Sequence, residues 1–122
     1  MKKFNKAVGN YAEQIAVNFL IKNHYNIIER NFRNHLGEID IVCLKDNCLI
    51  IIEVKGRYDI NFGYPLESVT VSKQKTIAKV AASYINFKNF HNMNVRFDVI
   101  EILFNKNNSL YIINHIKDAF RL

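Results

Sequence analysis

The chain has 122 residues, 49% of them apolar and 23% charged, with a formal charge of +6. That length suits one domain with one core, and that composition excludes a disordered chain. The positive balance favours polyanionic partners, nucleic acid or anionic lipid, although a composition rich in Lys, Asn and Ile equally suits an AT-rich genome.

Two cysteines, Cys43 and Cys48, are too few for a disulfide framework and lack zinc-site spacing, which fits a reducing cytosol. No run approaches the ~18 apolar residues of a membrane span, and Met1 to Lys6 leads into no signal-peptide core. A soluble, cytoplasmic protein with no membrane association is expected. Repeats and Pro- or Ser-rich linkers are missing from the sequence, so residues 1–122 are read as one domain.

In chain order, Val8, Tyr11, Ala12, Ile15, Ala16, Phe19 and Leu20 recur at helical spacing, which predicts a first helix over Ala7 to Asn23. Glu13 borders that apolar stripe. A strand is predicted over Tyr25 to Glu29. From Gly37 to Lys55 two β-rich runs flank Asp46 and Asn47, good central residues of a tight turn, and predict a hairpin. Its register pairs Leu44 with Leu49, Val42 with Ile51, Asp40 with Glu53 and Glu38 with Lys55. On the other face it pairs Cys43 with Ile50, Ile41 with Ile52 and Ile39 with Val54. Both faces are apolar, as in a strand pair covered on both sides.

Residues 56 to 71 read as a loop with a helical turn near Leu66 to Val69. A second helix is predicted from Ser72, as N-cap, to about Asn86. Strands are predicted over Val95 to Phe104 and Leu110 to Ile116, followed by a short tail. A helix between the third and fourth strands implies parallel pairing there. The expected fold is an α/β/α sandwich, ordered α-β-β-β-α-β-β, with a central mixed five-stranded sheet.

Two carboxylates opposed on a covered sheet face need cations between them. Lys55, two residues beyond Glu53, supplies one, and a divalent ion is the natural second. Mg²⁺, or Mn²⁺ in its place, suits a site with one or two carboxylates that leaves room for water and phosphate. The chemistry expected is phosphodiester hydrolysis, with Asp40 and Glu53 as metal ligands, Glu13 within reach of the same ion, and Lys55 acting on the attacking water. Arg30, Arg33 and Arg57 flank this centre as candidate phosphate contacts. Lys73 and Lys75 join them because lysines in the first turn of a helix oppose its dipole unless an anion is near. His24, His35, His91 and His115 show no ligand spacing, and the six tyrosines are too scattered in sequence to indicate a base-stacking platform.

Taken together, Gly9, Glu13, Arg30-Asn31-Phe32-Arg33, Gly37-Glu38-Ile39-Asp40, Glu53-Val54-Lys55, Arg57, Lys73 and Arg96-Phe97-Asp98 resemble the YraN family. Its fold is similar to that of PD-(D/E)XK (restriction-endonuclease-like) enzymes, with archaeal Holliday junction resolvases among the relatives. The resemblance, from about Ala7 to Glu101, implies a catalytic set of Glu13, Asp40, Glu53 and Lys55 and a DNA substrate, branched or damaged, in repair or recombination. Phe32 stands where the family often has Trp, and Gly56 where it often has Thr or a larger residue. A symmetric dimer would suit junction cleavage. The alternatives are a nucleic-acid-binding module of the same fold with little or no catalysis, and a nuclease directed at RNA.

Overall fold

The computed structural model describes residues 6–58 and 69–121. They form α1 (Lys6–Lys22), β1 (Asn26–Asn34), β2 (Gly37–Lys45), β3 (Cys48–Tyr58), α2 (Val71–Lys88), β4 (Asn94–Phe104) and β5 (Tyr111–Phe120). The five strands make one sheet in the order β1-β2-β3-β4-β5. β3 and β4 are parallel, and the other neighbours are antiparallel. The result is an α/β sandwich, a mixed sheet between two helices.

Alternation on β3 assigns the two faces. Ile50, Ile52 and Val54 pack with Ala12, Ile15, Ala16 and Leu20 of α1, while Leu49 and Ile51 pack with Ile77, Val80, Ala81 and Tyr84 of α2. Because side chains alternate with period two, Glu53 and Lys55 share the α2 face with Ile51. α1 comes especially close to β3 at Gly56, where an added Cβ would lie 2.8 Å from the Ala12 Cβ.

The β2–β3 hairpin has the expected register from Lys45↔Cys48 to Ile41↔Ile52. Asp46 and Asn47, at φ 52° and 60°, adopt the left-handed conformation of a tight turn whose twist matches the strands. Beyond Ile41↔Ile52 the ladder stops, so the expected pairs Asp40–Glu53, Ile39–Val54 and Glu38–Lys55 do not form as backbone partners.

The cause lies in β1. Asn31 is left-handed at φ 54°, between the pairs Arg30↔Ile41 and Phe32↔Ile39. Across it the β1–β2 ribbon exchanges faces. Arg30 reaches Gln14 on α1, whereas Phe32 sets its ring 5.0 Å from that of Tyr84 on α2. Ile41 likewise packs with the α1 core and Ile39 with the α2 core. The ribbon tip is fastened to α2 by an Asn34–Ser83 hydrogen bond of 3.1 Å and by close packing of Gly37 on Thr76 and Val80.

Several boundaries differ from the sequence reading. β1 extends to Asn34 instead of ending at Glu29, because an outermost strand keeps polar side chains in water and its Arg/Asn run shows no apolar alternation. Gly56 to Tyr58, read as loop, continue β3 because β4 is long enough to pair with them. β5 passes Ile116 and reaches Phe120 through a bulge at left-handed Asp118. α2 is capped two residues earlier than expected: Thr70 is the N-cap and accepts the Lys73 N–H at 3.1 Å. Left-handed Asn89 closes α2 at its other end. Of the helical turn expected near Leu66 to Val69, residues 66–68 lie outside the described residues, while Val69 is buried in the α2 core.

Candidate functional site

Where β2 leaves β3, a side chain takes over from the main chain. Continuing the register would bring the Val54 N–H to the backbone of Ile39. Instead the Asp40 carboxylate accepts it, at 2.8 Å. Asp40 is thereby fixed against the peptide that joins Glu53 to Lys55. Asp40, Glu53 and Lys55 are 3%, 5% and 2% exposed, so all three have exchanged most of their water for protein.

Charges on the α2 face compensate one another. Lys73, in the first turn of α2, places its Nζ 3.5 Å from Glu53 Oε2. The parallel register sets Lys55 beside Glu101 of β4, and Glu101 forms an ion pair with Arg57. Burial pushes the Lys55 ammonium down to about 8. The Arg57 and Lys73 cations add to that effect, and Glu101 and Glu53 oppose it. A lysine with that pKa is mostly protonated at neutral pH yet keeps a usable fraction of free amine.

Asp40 thus holds the peptide between Glu53 and Lys55 where the two strands part, and Glu53, Lys55 and Lys73 gather on the α2 face. The family model described as "Uncharacterised protein family UPF0102" matches residues 12–102, a span containing all of them. The chain belongs to family UPF0102. UPF0102 is the YraN family of the resemblance drawn from the motifs. A UPF0102 protein of Clostridium botulinum (strain Eklund 17B / Type B) is 63% identical over 121 residues, 99% of each chain. A UPF0102 protein of Clostridium beijerinckii is 57% identical, with 100% of this chain and 99% of the relative aligned. One from Clostridium perfringens (strain 13 / Type A) is 49% identical over the full length of both.

The remaining candidate residues of this UPF0102 chain are distributed more widely. Glu13 is buried at 5% exposure on α1, which covers the sheet face opposite Glu53 and Lys55. Among the described residues no three His, Cys, Asp or Glu side chains gather closely enough to hold a metal. An ion at the strand parting would therefore rest on two carboxylates, Asp40 and Glu53. That is an arrangement Mg²⁺ accepts, since it fills the rest of its shell with water and phosphate. Arg30 hydrogen-bonds Gln14, Arg33 pairs with Glu38 at 3.2 Å on the surface, Arg57 is held by Glu101, and Lys75 is exposed on α2. Cys43 and Cys48 are free thiols, and burial raises Cys43 to about 12, which suits an inert core residue.

Sequence reasoning missed Glu101, although an acid inside the apolar run Val99-Ile100-Glu101-Ile102 was a usable signal of a buried partner. It named Arg96 and Asp98 only as part of the family resemblance and gave them no partner in His115. The Asp98 carboxylate, wholly buried, accepts two hydrogen bonds from Arg96 at 2.9 Å, pairs with His115 at 2.8 Å and accepts the Asp118 N–H at 2.9 Å. The cluster ties β4 to the bulge of β5, so His115, set aside for want of ligand spacing, has a partner of another kind. Among the described residues no helix is long and apolar enough to cross a membrane.

Proposed function

We propose that this UPF0102 protein is a metal-dependent nuclease that hydrolyses phosphodiester bonds in DNA, with branched or damaged DNA as the substrate class the family resemblance suggests. The observation that carries the reading is the Asp40 carboxylate set at the parting of β2 and β3, against the Val54 amide between Glu53 and Lys55. Ordinary strand pairing has no use for a buried acid there, and the site lies beside a second buried acid and two lysines.

Asp40 and Glu53 are the residues that would hold Mg²⁺ or Mn²⁺ through their carboxylate oxygens. A bound divalent ion supplies charge that polarises the phosphate and lowers the pKa of its water. The Lys55 ammonium offsets the negative charge that builds on the phosphate. Burial brings the Lys55 pKa down to about 8, so its Nζ in the free-amine form takes a proton from the attacking water more readily than an exposed lysine would. Lys73 holds Glu53 in place and offers a cation to the scissile phosphate. Arg30, Arg33 and Lys75 are surface contacts for the backbone, and Glu13 is a supporting acid from the other face.

The decisive experiment incubates the protein with four-way junction, flap and single-stranded DNA in Mg²⁺ or Mn²⁺, beside Glu53→Ala and Lys55→Ala. Cleavage in the wild type that both substitutions abolish is the expected result. Cleavage surviving both would overturn the mechanism. One observation favours the second reading, a binding module with little catalysis: Glu53 already has a counter-ion in Lys73. Tight binding with no cleavage under any metal would establish that reading.

A further inference from the structure

Tyrosines that are scattered in sequence meet at the far end of the sheet. Phe104, the last residue of β4, is ringed by Tyr11 of α1, Tyr58 of β3 and Tyr111 of β5, with centroid distances of 5.7, 5.7 and 6.3 Å. Tyr11 lies nearly parallel to Phe104, at 18°, so one of its faces is covered by that ring. Tyr11 is nevertheless 55% exposed, Tyr58 40% and Tyr111 42%, while Phe104 beneath them is buried. Beside this cluster a cavity of about 530 Å³ is lined by Phe104, Tyr111, Leu110, Ile112 and Lys106, among others.

The geometry points to this cluster as a stacking platform for unpaired nucleobases, which makes single-stranded or frayed nucleic acid the substrate class of the proposed site. The inference rests on the nuclease reading for its functional meaning, and on ring geometry for its binding. Single exposed apolar residues need no explanation, but three tyrosines on one ring beside an apolar cavity form a contiguous patch. A face of Tyr11 already stacked on Phe104 leaves the opposite face to extend the stack, and aromatic faces bind any base.

Charge and position select the occupant. A chain of net charge +6 attracts a polyanion. Tyr58 follows Lys55 by three residues on β3, about 10 Å, the length of about three stacked nucleotides. Tyr58 lies on the α1 face and Lys55 on the α2 face, so a strand whose bases occupy the rings must pass round the end of the sheet to present its backbone at Lys55. A continuous duplex is too stiff for that path, whereas an unpaired strand follows it.

The chain has six tyrosines and no tryptophan, so tyrosine emission reports directly on ring contacts. The test titrates the full chain in EDTA, where cleavage plays no part, with a thymidine oligonucleotide, an abasic strand of the same length and a blunt duplex. Expected are quenching of tyrosine emission and tighter binding of the base-bearing strand. Tyr11→Ala or Tyr111→Ala should weaken that binding by roughly 5- to 150-fold each, with Tyr11→Phe restoring it. Both positions are exposed, and unchanged melting of the variants shows that the fold is kept. Equal affinity for abasic and base-bearing strands, or variants that bind as wild type does, would overturn the platform. So would a dimer in sedimentation that Tyr111→Ala dissociates with no effect on strand binding. Base-dependent binding without cleavage in Mg²⁺ would leave the platform standing and remove the nuclease, and the converse result would do the reverse.

Discussion

Replacing Gly56 by alanine tests how α1 is seated on the sheet. The new Cβ would stand 2.8 Å from the Ala12 Cβ and 3.3 Å from Phe104 Cε2. Carbon atoms prefer about 3.5–4.0 Å, so the first contact is short by about 0.7 Å or more. The Ala12 Cβ is fixed to the helix main chain and cannot rotate away, so α1 itself must shift. Overpacking of this kind costs about 1–3 kcal/mol, against about 0.4–1 kcal/mol gained because alanine restricts the unfolded chain. At the midpoints of these ranges the clash wins by about 1.3 kcal/mol, which for a chain of this size lowers Tm by about 4–7 °C. Thermal and urea unfolding followed by circular dichroism would measure it. Ala12→Gly costs about 1 kcal/mol on its own in a helix, yet combined with Gly56→Ala it removes the obstructing atom. The pair should therefore be less destabilised than the sum of the single changes. Strict additivity, or a Gly56→Ala protein as stable as wild type, would refute the reasoning.

Other expectations address the site and its supports. Lys55→Ala should reduce metal-dependent cleavage by roughly 10²- to 10⁴-fold in single-turnover assays while the protein still folds. Arg57→Ala leaves Glu101 buried without its main partner and should cost up to about 3–5 kcal/mol in urea unfolding, less whatever Lys55 compensates, whereas Arg57→Lys should recover part of the loss. Burial alone would raise the Asp98 carboxyl, but its hydrogen bonds from His115, Arg96 and the Asp118 amide outweigh that and hold it below 3.8. The folded pKa is thus the lower one, so the stabilisation is complete above the unfolded value and is lost as pH falls through the folded one. Urea midpoints between pH 6 and pH 2 should drop more steeply for the wild type than for Asp98→Asn. Thr70→Ala should cost about 1 kcal/mol by uncapping α2, read as a shift in urea midpoint.

Much of the fold could be read from residue pattern because its interior elements carry unbroken periodicity. The Val42 to Ile52 hairpin has apolar residues on both faces and an Asp-Asn turn, which together admit one register. Edge elements were harder. The second half of β1 is Arg-Asn-Phe-Arg-Asn, which has no buried stripe to reveal it, and the end of β5 follows a bulge at Asp118 whose amide is bound by the distant Asp98 carboxylate. At the site, the spacing of Asp40, Glu53 and Lys55 marked the right strands, but direct opposition of the two acids was an extrapolation of a ladder that stops at Ile41. Left-handed Asn31, which reverses the ribbon, leaves no trace in hydrophobic pattern, since asparagine is equally at home in a turn or on an exposed edge. The tyrosine cluster was invisible for a simpler reason: its members come from four elements and meet only in three dimensions.

The bond from the Val54 amide to Asp40 affects how inactive variants must be interpreted. Because the carboxylate that completes the strand junction is also the proposed metal ligand, deleting it removes a structural acceptor together with the proposed reactive group. An Asp40→Ala protein without activity would confound misfolding with lost chemistry, while Asp40→Asn keeps an oxygen for the amide and discards only the charge. Among the acids at this junction, Glu53 is the cleaner knockout, because its oxygens meet a lysine side chain instead of the backbone.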